Sequence, residues 1–174
     1  MTRHGTMMAL IGGVLLQILL AAGVVWAGEP VHFRQLLPFV DINLSGWEKD
    51  GEASGTTVKN QGITFTEVEG RYKKGDQTIQ IKILDNPTVP MSFVGLGYTL
   101  GLVMETTEES VKGTKIFEYP ALETVRFKDK EAKIEMLAAN RFLVVIEGQG
   151  FTDVQALKEI LSSMPLSKLA ELAK

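Results

Sequence analysis

The chain has 174 residues, enough for one domain with a packed interior, and carries 18 basic against 21 acidic side chains for a formal net charge of −3. That mild acidity argues against nucleic acid and against anionic lipid headgroups as partners. Cysteine is absent, which excludes a disulfide frame, a thiol nucleophile and a lipid-bearing cysteine behind a signal segment.

The N-terminus, "MTRH", carries Arg3, and no Asp or Glu precedes Glu29. A leucine-rich stretch, densest over residues 10–20, gives way to "AAGVVWA". A basic start, an apolar middle and an A-x-A-like end predict a secretory signal peptide over residues 1–27, cut between Ala27 and Gly28. Residues 28–174 are then a single globular domain, and loss of Arg3 takes the net charge from −3 to −4. The alternative is a retained membrane helix, since residues 7–27 are about long enough for a hydrocarbon core of roughly 30 Å. Gln17, the helix-weakening glycines and the lack of a basic stop favour cleavage. In both cases Arg3 keeps the N-terminus in the cytoplasm, and the functional part is expected beyond it, periplasmic or secreted.

The remainder opens with "EPVHFRQLLPFV". Phe33, Leu36 and Leu37 fall at i, i+3 and i+4, Pro30 suits a first turn and Pro38 a stop, so a helix of about two turns is predicted. "SGWEKDG" reads as a brief strand carrying Trp47, and "EASGTTVKNQG" as a polar loop. "ITFTEVEGRYKKGDQTIQIKILDNP" is the clearest hairpin. Ile79, Ile81 and Ile83 alternate with Thr78, Gln80 and Lys82, and Gly75 in "KKGD" suits a turn with positive φ. In the first arm the apolar set changes parity, from Ile63 and Phe65 to Val68 and Tyr72. A bulge near Glu67, with Gly70 easing the crowding, would reconcile the two. Asn86-Pro87 ends the second arm.

"MSFVGLGYTLGLVME" fits helix and buried strand alike. Phe93, Leu96, Leu100 and Val103 have helical spacing, so a helix over 92–104 is expected to lie closely on the sheet, with Gly97 and Gly101 permitting the approach. "TTEES" follows as an exposed acidic loop. From Val111 onward the chain reads as a meander of strands at 112–119, 122–127, 133–138 and 142–147, reversed at "YPA", "KDK" and "AAN". "FLVVIE" predicts a central strand covered on both faces. In "GFTDVQALKEILSSMPLSKLAELAK", Thr152 and Gln155 form a T-x-x-Q capping box, and Val154, Leu157, Ile160, Leu161 and Met164 an apolar stripe. After Pro165 a last turn or two buries Leu166, Leu169 and Leu172. The sum is an α+β fold: an antiparallel sheet of about six to seven strands, ending in a meander, with helices packed on its faces.

Candidate chemistry is sparse. Beyond the leader, His32 is the one histidine, set among Pro30, Phe33 and Leu36, and it reads as a surface or structural residue rather than a catalytic base. Metal sites built on His and Cys lack ligands, and no cofactor is implied. "GLGYTLG" has G-x-G-x-x-x-G spacing without the strand and acidic residue that a nucleotide fingerprint requires. "ETTEES" and "FKDKEAK" lack the order of a calcium loop. Arg71 beside Tyr72, Asp85 at a strand end and Arg141 before the central strand are the candidate contacts for a ligand or partner. Arg141 and Asp85 suit an anion or peptide site; the alternative is that they pin turns and registers through ordinary hydrogen bonds.

Taken together, "GW", "RYKKGDQTIQIKILD", "YPALETV" and "NRFLVVIEGQG" with the closing "LKEIL" resemble small exported bacterial proteins of unassigned function, similar in fold to the PsbP/Mog1 group. The resemblance spans most of residues 31–172 and implies an antiparallel sheet with helices on its two faces. Known members act in photosystems or bind a small GTPase. No functional residue of either matches here, so only the fold carries over. The function expected is that of a non-enzymatic exported domain that binds a protein or cell-envelope partner through its sheet edge or loops. A small-molecule or lipid carrier, with a pocket between the 92–104 helix and the sheet, is the second reading. A carboxylate-based hydrolase is the third.

Overall fold

The computed structural model describes residues 28–60, 63–86 and 101–174. The signal segment expected over 1–27 lies outside them, as does all but the end of the helix expected over 92–104. Period-two alternation dominates the described chain. It produces nine strands: β1 (Glu48–Lys49), β2 (Ser54–Asn60), β3 (Ile63–Lys74), β4 (Gln77–Asp85), β5 (Val103–Glu105), β6 (Glu109–Ile116), β7 (Tyr119–Arg126), β8 (Glu131–Ala138) and β9 (Phe142–Gln149). Three short helices accompany them: α1 (Phe33–Val40), α2 (Gln155–Ser163) and α3 (Leu166–Glu171). The strands form one antiparallel sheet in the order β1-β3-β4-β9-β8-β7-β6-β5, with β2 also paired to β3. The protein is therefore α+β with an antiparallel sheet, and it has more strands than the six or seven expected.

One face of the sheet carries the core. Val68, Tyr72, Ile79, Ile81, Ile83, Ile134, Met136, Val144 and Ile146 are buried there together with Leu36 and Val40 of α1, Leu157 and Leu161 of α2 and Leu169 of α3. All three described helices thus share a single face, where helices on both faces were expected. The other face carries a smaller cluster, in which Val111 and Leu122 are buried with Leu137 and Leu143 against them, beside the half-buried Lys82, Lys133, Glu135 and Glu147. This also corrects the reading of "FLVVIE". It is central, between β4 and β8, but only Phe142, Val144 and Ile146 are fully buried.

The hairpin forms as expected, turning at Gly75 with φ +57°, and the register from Thr66↔Asp85 to Lys74↔Gln77 runs without a bulge. Parity is kept because Thr66, Val68, Gly70 and Tyr72 share the core face, while Phe65 points away from it. Gly70 has a different task from the one expected of it. A Cβ there would lie 2.3 Å from the carbonyl oxygen of Val40, so glycine lets α1 sit directly on β3.

Several boundaries differ from expectation, each for a local reason. "SGTTVKN" is strand β2 rather than a loop, paired with β3 from Ser54↔Glu69 to Asn60↔Ile63. Pro38 lies inside α1 instead of stopping it. It is exposed, as is Arg34 whose carbonyl loses a partner, while buried Phe39 and Val40 reward the extra turn. The β6–β7 reversal falls at Phe117-Glu118, not at "YPA". The flanking Ile116↔Tyr119 pair makes the next amide, that of Pro120, point away from β6, where the β8 ladder has not yet begun. Helix α2 starts without the Thr152–Gln155 box; the Asp153 carboxylate accepts the Gln155 amide at 2.8 Å instead. Leu157, Ile160, Leu161 and Met164 are buried as the stripe predicted. At the end of the expected 92–104 helix, Val103–Glu105 is extended and pairs with β6, so the helix does not run through those residues.

Candidate functional site

Asp85 ends β4 directly opposite Thr66 on β3 and Phe142 on β9, so its carboxylate is held against the core and is fully buried. Arg141 follows the β8–β9 turn, in which Ala139 and Asn140 take φ of 51° and 54°. That turn lays the guanidinium over the Phe142 ring, 5.4 Å from its centroid, and against Asp85. The pair is bidentate, with Nε donating to Oδ1 at 3.0 Å and Nη2 to Oδ2 at 2.9 Å. Oδ2 also accepts the Val31 amide at 2.7 Å, and Nη2 donates to the Glu29 carbonyl at 2.9 Å. Two steps along, the Phe33 amide donates to Thr57 Oγ1, which lies 2.8 Å from Thr66 Oγ1. Glu29 pairs with Lys59 at 2.9 Å, and that ammonium holds the Glu29 carboxyl below the usual carboxylate range.

The structure therefore brings Asp85 and Arg141 together as a clasp on the backbone of residues 29–31. Charge-assisted bonds of this kind are the strong ones, and here they fix where the chain enters α1. Arg71 is elsewhere: it lies opposite Gln80, five residues and roughly 17 Å along β4 from Asp85, and pairs with Glu69. His32 is exposed at the start of α1, where its Nδ1 accepts the Arg34 amide at 3.3 Å. Among the described residues no group of three or more His, Asp or Glu side chains is placed to hold a metal ion. No described helix is long and apolar enough to cross a membrane.

The most distinctive surface is on the β5–β7 part of the sheet. Every large apolar side chain exposed among the described residues belongs to it: Leu102 just before β5, Val103 and Met104 on β5, Phe117 in the β6–β7 turn and Phe127 after β7. Val103 is the most open, at 71 %. Phe117 and Glu118 both have positive φ, 48° and 68°, in a two-residue turn that ordinarily uses Asn-Gly. A phenylalanine in that conformation is strained, yet its ring stays half exposed. Phe117 also borders an open depression of about 320 Å³, lined by Tyr119, Leu161, Met164, Pro165 and Leu166. None of these surface residues stood out in the sequence, because Leu102–Met104 were read as helix and Phe117 as strand interior. A usable signal was that Val103 and Met104 precede "ETTEES", a polar reversal of the kind that joins antiparallel strands. Comparison with protein-family models, with curated proteins and with solved structures finds no match for this chain.

Proposed function

We propose that the chain is an exported, non-enzymatic domain, periplasmic or secreted, which binds a protein or cell-envelope partner through the β5 edge and the turns beside it. One observation carries this reading: the exposed large apolar residues among those described, Leu102, Val103, Met104, Phe117 and Phe127, all belong to the β5–β7 part of the sheet, at the β5 edge and in the turns at the two ends of β7. Such side chains are the usual anchors of a partner surface. The basic, apolar, small-residue order of residues 1–27 supports export. In this reading Asp85 and Arg141 seat the N-terminal segment rather than touch the partner.

The test is capture from envelope extract on the immobilised protein, with Phe127→Ser and Val103→Lys variants alongside. A specific protein retained by the parent and lost from both variants is the expected result. Equal retention by parent and variants would sink the reading. A carrier of apolar small molecules is the second reading, and the 320 Å³ depression beside Phe117 favours it. Lipid co-purifying with the protein, and released by Leu166→Lys, would put the carrier first.

A further inference from the structure

Residues 29–33 are tied into the fold at several points just where the first helix begins. The Glu29 carbonyl accepts Arg141 Nη2 at 2.9 Å, the Val31 amide donates to Asp85 Oδ2 at 2.7 Å, and the Phe33 amide to Thr57 Oγ1 at 3.0 Å. The Glu29 carboxylate adds an ion pair to Lys59 at 2.9 Å, and Pro30, between the two clasped residues, is buried. The holding groups come from β2, from the end of β4 and from the residue before β9, the last of them 112 positions from Glu29. The seat is therefore complete only when the sheet around β4 and β9 has formed.

The bond expected to be cut, Ala27–Gly28, precedes this seat by a single residue. Gly28 is open, with nothing within 4 Å of a Cβ built on it, but Glu29 is already held. A peptidase takes its substrate extended in a cleft, over residues on both sides of the bond. One residue spans at most about 3.6 Å, so a cleft closed on Ala27–Gly28 would overlap the Asp85 end of the sheet.

We propose that the Ala27–Gly28 bond is cut only while residues 29–33 are still free, so that processing precedes closure of the Asp85–Arg141 clasp. This rests on the reading of residues 1–27 as an export leader and adds the order of events. The reaction is a hydrolysis by a leader peptidase that requires small residues before the cut. Water adds across the Ala27–Gly28 amide, leaving a carboxylate on Ala27 and an ammonium on Gly28. After folding, cleavage follows the fraction of molecules in which the segment has come off its seat. Giving up even one charge-assisted bond lowers that fraction about tenfold. The order also decides the fate of the chain: cut first, it is released; folded first, it keeps its apolar leader.

The test uses the full 174-residue chain, synthesised in a cell-free system without membranes and kept in detergent. Leader peptidase is present either from the start of synthesis or only after folding, and a new N-terminus at Gly28 is scored by mass. A second chain carries six Gly and Ser residues between Ala27 and Gly28, which move the bond up to about 20 Å from the seat and leave the clasp intact; its cut is scored after Ala27. The parent is expected to be cut when the peptidase is present early and at least roughly tenfold more slowly when it is late. The spacer chain should be cut equally well in both regimes. Equal early and late rates for the parent, or a spacer chain as resistant as the parent, would overturn the ordering and leave the leader reading intact. No cut of either chain in either regime would remove the leader itself, and the ordering with it.

Discussion

Two buried polar residues decide much of how the N-terminal part is held. The Tyr72 hydroxyl donates to the Val40 carbonyl, lies 3.1 Å from that of Ile42 and accepts the Ile42 amide at 2.9 Å. It therefore ties the end of α1 to β3, just where Gly70 admits the helix backbone. Burial pushes its pKa above the ordinary value near 10, against the lowering by the Ile42 backbone and by Lys49. The folded state then resists ionisation that the unfolded chain accepts. The stability this contributes is complete below about pH 10 and is lost as pH rises from there through the folded value. Tyr72→Phe should cost about 1–2 kcal/mol near neutral pH, for the bonds left unmade. It should also flatten the alkaline limb of stability against pH, measured by urea unfolding at several pH values. An alkaline limb unchanged in the variant would contradict the assignment. The Asp85–Arg141 clasp makes a second residue-scale prediction. Arg141→Met strands a fully buried carboxylate and should cost about 3–5 kcal/mol, while adding Asp85→Leu should recover part of that loss. A double-mutant cycle in urea reads the coupling, and additive losses would show that the clasp is not a unit. Nothing in the sequence placed these two residues in contact, since they are 56 positions apart. Each was legible as a polar interruption at a strand end, suited to an anion or peptide site or to pinning a turn, but not as the other's partner.

At the scale of elements, legibility followed burial. The β3–β4 hairpin could be read because Ile79, Ile81 and Ile83 all face the core and Gly75 marks the turn. Helix α2 could be read because its stripe is buried at helical spacing. Strand β2 could not, since it lies outside β3 with no fully buried residue and its Ser, Thr, Lys and Asn composition is that of a loop. Strand β5 is three exposed residues long, so no periodicity marks it. The β6–β7 turn was displaced for a different reason. "YP" is a strong reversal signal, but the ladder tolerates Pro120 where its missing amide faces no neighbour, and the reversal is forced onto Phe117 and Glu118 instead. Strain of this kind is removable. Replacing Phe117-Glu118 by Asn-Gly should stabilise the protein by about 1–2 kcal/mol, read as a raised urea midpoint at unchanged slope. If the strain serves partner binding, the same variant should lose envelope capture while gaining stability. Lost stability would show that the Phe117 ring contributes more to packing than its backbone costs.

Across the whole molecule, the two halves of the chain are joined into one cooperative body at the β4–β9 pairing. Ile81 meets Ile146 there, and one apolar cluster runs from Leu36 on α1 to Leu169 on α3. The Trp47 ring, just before β1, stacks on Phe151, just after β9, with centroids 6.2 Å apart. A Cβ on Gly148 would collide with that Phe151 ring at 2.6 Å, so the aromatic contact is seated on the central strand itself. Trp26 lies in the segment 1–27 expected to be a leader, so in a chain without those residues Trp47 is the sole tryptophan and reports on the junction of the N- and C-terminal parts. Separation of either half would unstack it. With one shared core, such separation costs as much as global unfolding, and no partly folded state should be populated. Thermal or urea unfolding of the chain from which residues 1–27 have been removed should therefore give the same midpoint by tryptophan fluorescence and by far-ultraviolet circular dichroism. An earlier fluorescence transition would mean that the β1–β3 side opens on its own. The β4–β9 ladder would then be a hinge between two weakly coupled bodies rather than the centre of one.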